Sequence, residues 1–90
     1  MQNAVLDSYA ILSFLFKEKG YHKVLSCFKY SLKHNKQNYI SSVNWAEVMY
    51  QCIRKIGWDR WREFSYELNI MPLEIVSVDK LIAENAAQIK

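Results

Sequence analysis

Three times along this chain a short β-prone run stops at a small polar or acidic residue and passes directly into a stretch with helical spacing. Val5-Leu6 meets Asp7-Ser8, Tyr39-Ile40-Ser41 meets Ser42-Val43-Asn44, and Leu73-Glu74-Ile75-Val76-Ser77-Val78 meets Asp79. Strand-then-helix units in succession leave few topologies open. Parallel strands need long crossovers, and those crossovers are right-handed. The chain is therefore expected to be α/β, with a parallel three-stranded sheet flanked by helices. Ligands of open parallel sheets bind at the carboxyl ends of the strands, so the residues just past each strand are the first candidates for function.

The segments between the strands read as helices. The first should run from Ser8 to Lys19 and end at Gly20, with Ala10, Ile11, Leu12, Phe14, Leu15 and Phe16 making it apolar on nearly every side. Such a helix is covered by other elements or by another chain. The second fits Tyr21 to His34, with Val24, Leu25, Phe28 and Leu32 inward and Asn35-Lys36-Gln37-Asn38 as the polar turn after it. A third spans Val43 to Ile56, with Ala46, Met49, Tyr50 and Ile53 at helical spacing and Gly57 as its stop. Asp59 to Leu68 forms a short helix with Trp61, Phe64 and Leu68 inward, and Pro72 breaks the pattern. A last helix follows Asp79, its N-cap, with Ile82, Ala86 and Ile89 on one face.

Ninety residues form one domain, and a 51% hydrophobic share with two Gly and one Pro supports a packed core. No apolar run approaches the ~18 residues of a membrane span, and no basic region leads an apolar core at the start. A cytoplasmic protein with no membrane partner is expected. Cys27 and Cys52 show no metal-ligand spacing and read as free thiols. Charge is uneven: residues 17–36 hold six Lys against one Glu, whereas residues 63–90 hold five acids against two Lys. Residues 54–62 add Arg54, Lys55, Arg60 and Arg62 against Asp59. Such basic stretches either attract a polyanion or form solvated helix faces. Trp58 and Trp61, at i and i+3, either stack on bases or pack a helix down.

Two acids draw most attention. Asp7 stands where the first strand ends, as a helix cap or as a metal ligand. Glu47 lies near the start of the third helix, three residues after Asn44, so a capping box accounts for it as readily as a metal does. Their equivalent placement after the first two strands is the stronger observation. Mg²⁺ and Mn²⁺ take oxygen donors and often need only one or two carboxylates beside water and phosphate.

Val5-Leu6-Asp7-Ser8-Tyr9-Ala10-Ile11 resembles the opening of a PIN domain, the ribonuclease fold of VapC-type toxins. Ile40-Ser41-Ser42-Val43-Asn44-Trp45-Ala46-Glu47-Val48 is similar to that family's second motif, and Ile75-Val76-Ser77-Val78-Asp79-Lys80-Leu81-Ile82-Ala83 to its third strand and following helix. The resemblance implies a PIN-like fold with sheet order 3-2-1-4-5. It makes Asp7 and Glu47 the first two catalytic and metal-site acids and Ser8 the hydroxyl beside the first. It also implies Mg²⁺ or Mn²⁺ as cofactor, RNA as substrate and an antitoxin protein as partner. The family continues with a helix bearing a third acid and a fourth strand ending near another. Nothing after Asp79 supplies them. The chain is thus expected to be a truncated, N-terminal portion of such a domain, with an incomplete acidic site and little activity alone. It is also expected to self-associate, because strand one becomes an apolar edge. The competing expectation is a catalytically incompetent interaction module that binds itself or an antitoxin-like partner. A small nucleic-acid binder built on the Lys-rich second helix is a third.

Overall fold

The computed structural model describes residues 5–77. Its elements are β1 (Val5–Leu6), α1 (Ser8–Leu15), α2 (Tyr21–Lys33), β2 (Asn38–Ser41), α3 (Ser42–Ile56), α4 (Trp58–Asn69) and β3 (Leu73–Val76). The strands form one parallel sheet in the order β1-β2-β3. The α/β class and the parallel three-stranded sheet are those the strand-then-helix repeats require. Asp79 and the helix expected after it lie outside the described residues.

Central β2 pairs Tyr39 with Val5 and Ile40 with Leu6 on one side, and runs from Asn38↔Leu73 to Ser41↔Val76 on the other. Facing residues of paired strands share a face, so Leu6 and Ile40 enter the core together. Around them gather Ile11 of α1, Val24 and Phe28 of α2, Val48 and Cys52 of α3, and Trp61 and Leu68 of α4. Helix α1 packs against α2 and α3, and α4 packs on α3. The cover that α1 needs thus comes from its own chain. Of its apolar residues only Tyr9 remains exposed.

Helix α1 is shorter than its composition predicts. It stops at Leu15, where the Lys17 N–H donates to Phe14 O and the Glu18 N–H to Ser13 O, at 3.4 and 2.9 Å. This is a Schellman ending with Lys17 in the left-handed position at φ 53°. Gly20, expected to end α1, instead begins α2 at φ 98°. Packing explains the early stop. The turn brings the Tyr21 ring 5.4 Å from Phe14 in a near-parallel stack and the Phe28 ring edge-on to Phe14 at 5.1 Å. Gly57 does stop α3, at φ 90° and ψ 169°, a region open essentially to glycine alone, and the same residue starts α4.

Two inward stripes differ from the expected ones. On α2 the buried residues are Val24, Phe28 and Ser31, while Leu32 is exposed. On α3 the core side carries Val48 and Cys52 with half-buried Trp45, Met49 and Ile53, and both Ala46 and Tyr50 face water. Asn38, expected in a polar turn, is the first residue of β2 and only 1% exposed. Its side-chain amide donates to Ser31 Oγ at 2.8 Å and to Pro72 O at 3.1 Å, and its backbone N–H donates to the same Pro72 O at 2.9 Å. One amide therefore ties α2, β2 and the lead-in to β3. That tie is why Ser31, and not Leu32, points inward.

Candidate functional site

Parallel strands end on a common edge, and the register sets what meets there. Since Leu6 faces Ile40, the next residues, Asp7 and Ser41, stand side by side at the carboxyl edge of the sheet. Each begins a helix. Asp7, in extended backbone conformation, accepts the Ala10 N–H on Oδ1 at 2.8 Å and caps α1. Ser41 accepts the Asn44 N–H on Oγ at 3.0 Å and caps α3. Ser8 is the first residue of α1 and is half-buried.

This arrangement corrects the local account of Glu47. The cap of α3 is Ser41, three residues before Asn44, so no capping box joins Asn44 to Glu47. Glu47 lies instead on the exposed side of α3, where Oε1 accepts the Gln51 side-chain amide at 2.9 Å. Six residues of helix place it about 9 Å along α3 from its capping residue. The structure thus puts the two acids on helices that spring from adjacent strand ends, Asp7 at the very start of its helix and Glu47 within the second turn of its own.

The donor chemistry suits a hard cation. Each carboxylate spends one oxygen on a local hydrogen bond, and among the described residues the other oxygen has no hydrogen-bond partner. Carboxylate oxygens are the donor type that Mg²⁺ and Mn²⁺ take. A tighter cage is absent here: among the described residues no group of three or more His, Cys, Asp and Glu side chains could hold a metal ion.

Comparison with protein-family models, curated proteins and solved structures finds no match. The functional reading therefore rests on the residues themselves.

Three further features complete the surface. Helix α2 has no acidic residue, and Lys23, Lys29 and Lys33 all lie exposed on it, followed by Lys36. The two tryptophans that sequence could not separate take different roles. Trp61 is buried against Trp45, with ring centroids 5.4 Å apart, whereas Trp58 is 56% exposed. Both thiols are free. Cys27 is half-buried, and Cys52 is fully buried, which pushes its pKa up from 9.0 to about 11 against the opposing pull of the Lys55 ammonium. No described helix is long and apolar enough to cross a membrane. Asn38 and its partners escaped sequence reading, because a polar residue in an Asn-rich stretch carries no local mark of burial.

Proposed function

We propose that the chain is a PIN-like unit of a metal-dependent endoribonuclease, in which Asp7 and Glu47 hold Mg²⁺ or Mn²⁺ and Ser8 stands beside the first acid. The supporting observation is the β1–β2 register, which sets Asp7 beside the start of the helix that carries Glu47. The order β1-β2-β3 is compatible with the 3-2-1 arrangement implied by the resemblance. Bound there, the ion would activate water for attack on an RNA phosphodiester and offset the charge developing on phosphorus. The free carboxylate oxygens of Asp7 and Glu47 supply its protein donors. The exposed lysines of α2 hold the RNA backbone by charge, with a salt dependence to match.

With Asp7 and Glu47 as its only acids among the described residues, the site binds its ion weakly and cleaves slowly. Mn²⁺ binding followed by water-proton relaxation tests this. Asp7→Asn keeps an oxygen to cap α1, and Glu47→Gln keeps one for Gln51, so both variants should fold and both should lose the ion. Unchanged Mn²⁺ affinity in the two variants would remove the reading. A second reading is an interaction module that associates with itself or with an antitoxin-like protein. The observation favouring it is that β1 pairs only with β2 among the described residues, with Val5 52% exposed at that edge.

A further inference from the structure

The turn between α3 and α4 gathers cations and aromatic rings in a way that neither packing nor the acidic site explains. Within one helical turn of Gly57 lie Arg54, Lys55, Trp58 and Arg60. Three of these are held against rings. The Lys55 Nζ sits 4.4 Å from the centroid of Phe16, at the end of α1. The Arg54 guanidinium lies 5.6 Å from the Tyr50 ring and donates to its hydroxyl at 3.3 Å. Arg60 lies 5.9 Å from Phe64, whose ring meets Phe16 edge-on at 6.1 Å. Lys17 follows Phe16 directly. Acids are present too: Glu63 pairs with Arg60 at 3.6 Å, and Asp59 and Glu18 are exposed nearby in sequence. The cations outnumber them. Trp58 and Tyr50 are both exposed, at 56% and 53%, but Tyr50 carries Arg54, whereas among the described residues no ring or cation lies on Trp58.

Cations held against rings on both sides of a turn that an exposed indole opens form a surface suited to a flexible polyanion with flat groups along it. Single-stranded nucleic acid is such a ligand: bases stack on exposed aromatics without regard to sequence, while Lys and Arg track the phosphates. A duplex offers no free base faces along its length, and single-stranded nucleic acid brings a phosphate and a flat group with every unit, which an acidic protein does not. We infer that the α3–α4 turn is a single-stranded nucleic-acid contact in which Trp58 stacks on a base and Arg54, Lys55 and Arg60 meet the adjoining phosphates. Helix geometry puts this contact about 15 Å along α3 from Glu47. It needs neither a metal ion nor either acid, so it stands apart from the nuclease proposal.

Trp58 is its own reporter, since Trp61 is buried and Trp45 half-buried. Oligo(U) and oligo(dT) titrated into the ninety-residue chain in EDTA should quench tryptophan fluorescence. The affinity should fall with salt at a log–log slope of about −2 for three phosphates. Read by the anisotropy of a labelled oligonucleotide, which does not depend on the indole, Trp58→Ala should weaken binding about ten-fold or more, with Trp58→Phe restoring much of it. Arg54→Ala and Lys55→Ala should each flatten the salt slope by about 0.7. Asp7→Asn, which tests the nuclease reading, should leave quenching and affinity unchanged. Circular dichroism confirms that each variant is folded. Three results overturn the inference: no quenching, binding that ignores Trp58→Ala yet falls with Lys29→Ala/Lys33→Ala, or a self-association lost in Trp58→Ala without oligonucleotide binding.

Discussion

Replacing Asn38 by alanine should be among the most damaging single changes outside the apolar core. The side chain is buried, and its amide makes two hydrogen bonds, to Ser31 Oγ and Pro72 O. Each such bond contributes about 0.5–1.5 kcal/mol net. The two acceptors then fare differently. Pro72 O keeps the Asn38 backbone N–H, but Ser31 Oγ, on a residue only 4% exposed, is left in the interior without that partner. An orphaned buried polar group costs about 1–3 kcal/mol. Together these terms put Asn38→Ala at roughly 2–6 kcal/mol, a large share of the ~5–15 kcal/mol that holds a small domain together. Urea unfolding followed by circular dichroism should show a lower midpoint at unchanged slope. Ser31→Ala supplies the control. Once Ser31 has no hydroxyl, the Asn38→Ala change loses less, so the double variant should be more stable than the two single losses added. A loss below ~0.5 kcal/mol for Asn38→Ala, or additivity within the usual ~0.3–0.5 kcal/mol, would refute the clasp.

Other perturbations separate roles that coincide on one residue. Asp7→Ala should lose about 0.5–2 kcal/mol through its cap, whereas Asp7→Asn should stay close to the parent chain in thermal melts. Lys17→Gly should raise stability by about 0.5–1 kcal/mol, because glycine enters the left-handed region without a Cβ penalty. Equal or lower stability in urea would show that the Lys17 stem contributes packing that outweighs the strain. Cys52 should make the fold alkali-sensitive. Its thiol stays protonated in the native state up to about 11, while the unfolded chain releases that proton from about pH 9 upward. Stability is therefore fully retained below pH 9 and falls towards pH 11, by up to about 2–3 kcal/mol. Cys52→Ala should flatten that part of the profile relative to the parent, and parallel profiles would count against the burial effect. Thiol titration of the native protein should accordingly modify Cys27 ahead of Cys52.

Much of the architecture was legible because it rests on coarse patterns. The alternation of short β-prone runs with helical stretches specifies the parallel sheet, and Gly57 marks the end of α3 as its lack of a side chain allows. What misled was local chemistry overridden by tertiary contact. Ala46 and Tyr50 fit a helical stripe as well as Val48 and Cys52 do, and only the packing of α3 against α1, α4 and the sheet decides which stripe is buried. Lys17 has no intrinsic preference for a left-handed turn, yet the stacking of Tyr21 and Phe28 on Phe14 requires one there. At the candidate site, Asp7 was readable as a cap because the rule is local. The position of Glu47 relative to that cap was not, since it depends on Ser41, which strand register alone brings beside Asp7.

The central position of β2 also bears on how the chain assembles in time. Neither of its neighbours is close in sequence: Asn38 and Pro72, which meet at its start, are 34 positions apart. Every strand pairing therefore waits on closure of a long loop, whereas α1 with α2 and α3 with α4 are consecutive pairs that can meet early. The helical pairs should gain amide protection first, and the sheet should follow only when Asn38 captures Pro72. Strand β1, with two residues on an edge, has the least holding it. Its amides should exchange fastest of the sheet, so the strand that delivers Asp7 should be the last of the three to become rigid and the first to loosen.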